Sequence, residues 1–201
     1  MAVNLPRLLL VSDRQRERRG ALRTSIRAGA PFVQIREKDL GSAAITERLA
    51  ALACTRQGDA RTGPLVCVNG QPELARRLGI GLHLPADHPP ADRQGIVLLG
   101  RSVHDTDEIM RAQDERVDYL IVGTLFASAS KPGRAPLGLA AFERLVRAAE
   151  PLPVFGIGGI GPDQVAAVRD AGAHGVAVCG AILEAADPSA ATRLFLEELS
   201  R

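Results

Sequence analysis

Three polar side chains at every second position open the chemical case: Gln34, Arg36 and Lys38, in the run Gln34-Ile35-Arg36-Glu37-Lys38-Asp39. Alternate residues of an extended strand share a face, so an amide and two cations point the same way. The apolar run Phe32–Ile35 marks a buried strand. Cations on its inward side are costly unless something pairs with them. Phosphate or pyrophosphate would do so, Arg offering a bidentate fork and Lys a point charge. A structural ion-pair network is the alternative.

Further anion signals lie downstream. Ile157-Gly158-Gly159-Ile160-Gly161-Pro162 and Val178-Cys179-Gly180-Ala181 are glycine turns after apolar runs. Glycine lets backbone N–H groups approach an anion, and a following helix N-terminus adds its dipole; tight turns with no chemical purpose are the alternative. The loop from Gly123 to Gly133 is rich in small and hydroxyl residues, including Ser128 and Ser130, and carries Lys131 near its end. Such a loop can wrap an anion; a plain surface loop is the alternative. Asn69-Gly70 reads in isolation as a turn. His83, Asp87 and His88 invite a metal reading, which the neighbouring prolines and the missing third ligand oppose; Asp87 is the remaining metal candidate. Ser102 either contacts a substrate or caps a helix.

The elements that must hold these residues alternate. Leu8–Val11, Phe32–Ile35, Leu65–Asn69, Gly81–Leu84, Ile96–Leu99, Tyr119–Val122, Val154–Ile157 and Gly175–Val178 are short, mostly continuous apolar runs. That is the pattern of parallel strands buried on both faces. Between them, Gln15–Ala28, Ala43–Thr55, Gln71–Leu78, Thr106–Glu115, Leu139–Ala149 and Pro162–Ala171 have helical period, and Pro188–Arg201 reads as a closing helix. Pro162 suits a first helical position, and Asp105 or Thr106 a cap with Glu108 nearby. The Pro-rich link from Leu84 to Ile96 carries little helix signal. Eight strands alternating with helices predict an α/β chain folded as a compact (β/α)8 TIM barrel, with an open doubly wound sheet as the alternative. In such a barrel, function gathers at the C-terminal ends of the strands, and the loops after strands seven and eight form a recurring phosphate site.

Composition narrows the rest. The net charge is +2, which gives no reason to expect nucleic acid or a membrane as partner, and the absence of Trp argues against base-stacking platforms. The first residues lack signal-peptide character, and no run of about 18 apolar residues is present. Cys54, Cys67 and Cys179 are odd in number and widely spaced, which suits buried reduced thiols and a cytoplasmic location. No linker or composition break divides residues 1–201, so a single domain is expected.

Taken together, Gln34-Ile35-Arg36-Glu37-Lys38, Asn69, Ser128-Ala129-Ser130-Lys131, Gly156-Ile157-Gly158-Gly159-Ile160 and Ala171-Gly172-Ala173-His174-Gly175-Val176-Ala177-Val178 closely resemble the thiamine phosphate synthase/TenI family, in order and spacing, over nearly the whole chain. The resemblance implies an enzyme of thiamine biosynthesis. A synthase of this family joins hydroxymethylpyrimidine diphosphate to a thiazole phosphate and releases pyrophosphate with the help of Mg2+. A TenI-type tautomerase, or a non-catalytic thiazole-phosphate-binding regulator, is the alternative.

Residue by residue, the resemblance implies that Gln34, Arg36, Lys38, Asn69, Ser102 and Lys131 hold the pyrimidine diphosphate, with Arg36, Lys38 and Lys131 as its catalytic cations. Ser128 and Ser130 stand in place of two threonines of the thiazole-phosphate loop, and Gly158-Gly159 matches the thiazole-phosphate turn. Four positions depart from the pattern. Gly70 stands where a Mg2+ aspartate is expected, and His88 where a second is, with Asp87 one place before it. Gly180 replaces a serine, and Thr124 stands where the tautomerases have an acid–base histidine. The implied Mg2+ therefore lacks both of its aspartates. A homodimer is the family expectation.

Overall fold

The computed structural model describes residues 4–53, 63–128, 133 and 135–201. Eight parallel strands close on themselves in chain order: β1 (Leu8–Val11), β2 (Phe32–Ile35), β3 (Leu65–Asn69), β4 (Gly81–Leu84), β5 (Leu99–Val103), β6 (Tyr119–Gly123), β7 (Val154–Ile157) and β8 (Gly175–Val178). Strand β8 pairs back onto β1, Leu9 opposite Ala177, which excludes the open doubly wound sheet. Around the barrel lie α1 (Ala21–Arg27), α2 (Ser42–Ala53), α3 (Pro72–Leu78), α4 (Thr106–Asp114), α5 (Leu139–Ala149), α6 (Val165–Asp170), α7 (Gly180–Leu183) and α8 (Pro188–Ser200).

Burial on both faces explains the unbroken apolar runs. On β1, Leu8 and Leu10 join the core between barrel and helices, while Leu9 and Val11 join the core inside the barrel. On β8, Val176 and Val178 go outward and Ala177 inward. Three rings plug the interior near the strand beginnings. Phe32, Tyr119 and Phe155 meet edge to face, with centroids 5.5, 6.2 and 5.7 Å apart. Gly100 makes this plug possible: a Cβ there would lie 2.1 Å from Tyr119 Cζ. With the lower half filled by rings, polar inward side chains gather at the C-terminal strand ends.

Several sequence expectations shift. The helix expected from Gln15 begins at Ala21, because Gly20 takes φ +79° and the preceding turn is tied to the neighbouring α7 by Arg18 N–H to the Leu183 carbonyl at 3.0 Å. The fifth strand runs from Leu99 to Val103 rather than from Ile96 to Leu99. Arg101 and Ser102 read as loop residues because their partners, Glu115 and His83, lie far away in sequence. Pro162 opens a 3-10 turn to Gln164, and α6 follows at Val165. Asp105 caps α4, its carboxylate accepting the Glu108 N–H at 2.8 Å. No helix joins β4 to β5, as the prolines of that link predict. Among the described residues, no helix is long and apolar enough to cross a membrane.

Candidate active site

A cleft of about 1460 Å3 opens at the C-terminal ends of the strands. Gln34, Arg36, Lys38, Asn69, Asp87, Ser102, Ser128, Gly158, Gly159, Cys179 and Gly180 all line it. Ser130 and Lys131 lie outside the described residues, as does Cys54.

The β2 end carries the cationic wall. Strand pairing ends at Ile35, yet the alternation persists in function: Gln34 is buried, Arg36 half-buried and Lys38 exposed, and all three face the cleft. Between them, Glu37 is buried at the edge of the cleft as a hub. It accepts the Ser12 hydroxyl at 2.7 Å and the Arg14 N–H at 2.8 Å, and pairs with Arg48 at 2.9 Å. Ser12 in turn accepts the Arg36 N–H at 2.9 Å, so the ends of β1 and β2 are locked together and the Arg36 backbone is fixed. No acid pairs with the side chain of Arg36 or Lys38 among the described residues, and the buried Gln34 Nε2 has no hydrogen-bond partner. Among the described residues, the ion pairing at this strand end therefore involves Glu37 and Arg48, not Arg36 or Lys38.

Two strands along the barrel, on β4, His83 is fully committed. One ring nitrogen, Nε2, lies 2.9 Å from Ser102 Oγ, and the other, Nδ1, 3.2 Å from the Tyr119 hydroxyl. Burial, with Arg36 and Arg101 nearby, pushes its pKa down to about 3, so the ring is neutral. Ser102 sits within β5 and bonds to His83, so it is not a cap; Asp105 fills that role. Arg101, also buried, pairs with Glu115 at 2.9 Å and donates to the carbonyls of Pro85, Ala86 and His88. One guanidinium thus replaces the missing helix in shaping the β4–β5 link that carries Asp87.

Of His83, Asp87 and His88, His83 has both ring nitrogens engaged with Ser102 and Tyr119. No group of three or more His, Cys, Asp or Glu among the described residues is placed to hold an ion. His88 Nδ1 lies 2.7 Å from the Pro89 carbonyl. Gly70 has φ +66° and offers no side chain; a Cβ there would make ordinary contacts, 3.7 Å to Pro85 Cδ and 3.9 Å to His88 Cδ2.

The turns after β7 and β8 form the far wall. Gly158 and Gly159 have φ +104° and +66°. The space of their absent side chains is taken by the β6–α5 loop: a Cβ on Gly158 would be 2.4 Å from Thr124 Cγ2, and one on Gly159 2.4 Å from the Ala127 carbonyl. Glycine is required there by packing as well as by φ, where residue type alone left an anion site and a plain tight turn both open. The loop is tied to the turn by Leu125 N–H to Ile157 O and Phe126 N–H to Gly158 O, each 2.9 Å, and this places Ser128 at the cleft. Cys179 is half-buried, and desolvation raises its thiol to about 11, so it is protonated at neutral pH and no nucleophile.

Two contributors escaped the sequence reading. Arg16 lines the cleft, is ion-paired with Glu184, and its Nη2 would lie 2.9 Å from a Cβ on Gly180. The alternating arginines at 14, 16 and 18 carried the signal, but the segment reads as helix. His104 also lines the cleft, with Glu108 accepting its backbone N–H at 2.6 Å and pairing with its ring at 3.0 Å.

The family model described as thiamine monophosphate synthase matches residues 8–182. A thiamine-phosphate synthase of Moorella thermoacetica is 37% identical over 90% of this chain and 87% of its own length. A bifunctional thiamine biosynthesis protein of Symbiobacterium thermophilum is 39% identical over 90% of this chain, which spans 38% of that longer protein. Among solved structures, thiamine phosphate pyrophosphorylase from Pyrococcus furiosus has the same fold, with a TM-score of 0.83 at 24% identity over 96% of this chain and 95% of the other. By the span of that family match and the identity of these relatives, the chain belongs to the thiamine monophosphate synthase family.

Proposed function

We propose that this chain is a thiamine-phosphate synthase, a transferase that joins hydroxymethylpyrimidine diphosphate to thiazole phosphate and releases pyrophosphate. One observation carries the assignment of the site: in a single cleft, Arg36 and Lys38, two cations that no acid among the described residues pairs, stand beside the buried Gln34 Nε2, which has no hydrogen-bond partner. In the reaction, the thiazole nitrogen forms a C–N bond to the pyrimidine methylene carbon. The C–O bond to pyrophosphate breaks and its electron pair leaves with the oxygen. Negative charge grows on that oxygen, and cations already in place stabilise it without reorganising. Arg36 and Lys38 serve from β2, and Lys131 adds a third cation from the β6–α5 loop. Gln34, Asn69 and Ser102 hold the pyrimidine diphosphate. Ser128, Ser130 and the turns at Gly158-Gly159 and Cys179-Gly180 hold the thiazole phosphate.

The Mg2+ that the family implies is not matched by a protein-held site. Of the carboxylates lining the cleft, Glu37, Glu108 and Glu184 are engaged with Arg48, His104 and Arg16, and Asp13 accepts the Gln15 N–H. Among the described residues Asp87 remains, and one carboxylate does not make a site for a cation that prefers six oxygens.

The test supplies both substrates and follows pyrophosphate release with thiamine phosphate formation, with and without Mg2+. Equimolar release is the expected result. No pyrophosphate, with a changed ultraviolet spectrum of the thiazole carboxylate phosphate alone, would overturn the synthase assignment in favour of tautomerisation.

A further inference from the structure

A chain of buried polar groups climbs from the aromatic plug to the cleft. Cys67 Sγ lies 3.5 Å from the Tyr119 hydroxyl, that hydroxyl 3.2 Å from His83 Nδ1, and His83 Nε2 2.9 Å from Ser102 Oγ. Cys67, Tyr119 and His83 are almost fully removed from solvent, and only Ser102 reaches the cleft. Burial and the charges of Arg36 and Arg101 keep His83 neutral, so its ring carries one proton, on Nδ1 or on Nε2.

That choice sets the polarity of the whole chain. With the proton on Nε2, Tyr119 donates to Nδ1, His83 donates to Ser102, and the Ser102 proton is left for the cleft. With the proton on Nδ1, Ser102 donates to His83, His83 donates to Tyr119, and the phenol proton falls on the Cys67 sulfur; Ser102 then shows the cleft only lone pairs. A phenol O–H is a strong donor and an imidazole nitrogen a strong acceptor, whereas sulfur is weak in either role. The first arrangement pairs strong with strong and leaves the weak bond to the thiol. Gly100 is part of the device, since any side chain there would displace the Tyr119 ring.

We propose that Tyr119 holds His83 as the Nε2–H tautomer and thereby makes Ser102 a dedicated hydrogen-bond donor to the cleft, which selects an acceptor atom on the pyrimidine diphosphate at that point. The identity of the ligand rests on the synthase reading; the polarity of the relay does not. Tyr119 and His83 are positioning residues that act through Ser102.

The relay is tested on protein labelled with 15N-histidine, with the His83 signal assigned by its loss in His83→Gln. The parent is expected to show Nε2–H with a bare Nδ1, and Tyr119→Phe, which keeps the ring over Gly100, is expected to lose that preference. Calorimetry with hydroxymethylpyrimidine diphosphate then gives affinities. Ser102→Ala is expected to weaken binding about 10-fold and Tyr119→Phe about 3- to 10-fold, as for loss of one hydrogen bond. The double variant is expected to bind no worse than Ser102→Ala, because the two act through one bond. His83→Gln, which retains a donor, should bind more tightly than His83→Met. An Nδ1–H tautomer in the parent, full additivity in the double variant, or parental affinity in Ser102→Ala would each overturn the proposal. Should the parent fail to make thiamine phosphate, the synthase reading falls, while the tautomer and the binding cycle still decide the relay.

Discussion

Two glycines with nearly the same backbone angle and opposite surroundings allow the far wall of the cleft to be probed by stability. Gly79 ends α3 at φ +61° with nothing within 4 Å of where a Cβ would stand. Gly159 has φ +66°, but its Cβ would be 2.4 Å from the Ala127 carbonyl and 2.9 Å from Phe126 Cβ. Gly79→Ala should cost only the left-handed strain, about 1–2 kcal/mol. Gly159→Ala carries the same strain plus overpacking of about 1–3 kcal/mol, for roughly 2–5 kcal/mol in all. The obstructing atoms are mainly backbone, so relief must come from moving the 124–127 loop, which carries Ser128. Urea unfolding of the two variants measures the cost. Steady-state kinetics should show KM for thiazole phosphate rising in Gly159→Ala with KM for the pyrimidine diphosphate little changed. If Gly159→Ala is no less stable than Gly79→Ala, or if both KM values rise alike, the loop is not seated on the turn as argued.

Three further outcomes are expected. Lys131→Ala should weaken inorganic pyrophosphate binding more than Lys38→Arg, since only the former removes a charge; equal calorimetric affinity in Lys131→Ala and the parent would count against Lys131 as a pyrophosphate ligand. Gly70→Asp combined with His88→Asp should lower pyrophosphate affinity without Mg2+ and raise it with Mg2+, because the metal bridges charges that otherwise repel. The φ of +66° at Gly70 adds a stability cost of about 1–2 kcal/mol, seen as a lower melting temperature, and a folded double variant with no added Mg2+ dependence would remove the missing aspartates as the limiting defect. Finally, the His83 pKa falls from 6.5 to about 3 on folding, so between those values the unfolded chain binds a proton that the native state refuses. Its contribution to stability is complete above pH 6.5 and is lost as pH falls towards 3; His83→Gln should therefore flatten the acid side of the stability profile measured by urea midpoints.

The strand core was legible because period and burial agree: Leu8–Val11, Val154–Ile157 and Gly175–Val178 are apolar on both faces, Phe32–Ile35 is so except at Gln34, and all four fold with the boundaries their composition predicts. The cationic face of Gln34, Arg36 and Lys38 followed from alternation alone, and the glycine turns from their own chemistry. What could not be read locally depended on partners distant in sequence. Arg101 looked like a loop residue until Glu115 and three carbonyls of the β4–β5 link surrounded it. Glu37 looked like one more charge until Ser12, Arg14 and Arg48 met on it. His83 suggested a metal ligand by type, and only the barrel brought Tyr119 and Ser102 to its two nitrogens.

The sequence by itself thus determined the eightfold alternation of strands and helices, the family and the side chains able to meet phosphate, because these depend on residue type, period and motif. Closure of the barrel decided which polar groups are spent on one another and which face the cleft. That division is set by side chains from different strands meeting in a dry interior, where an unpartnered polar group costs far more than it does in water.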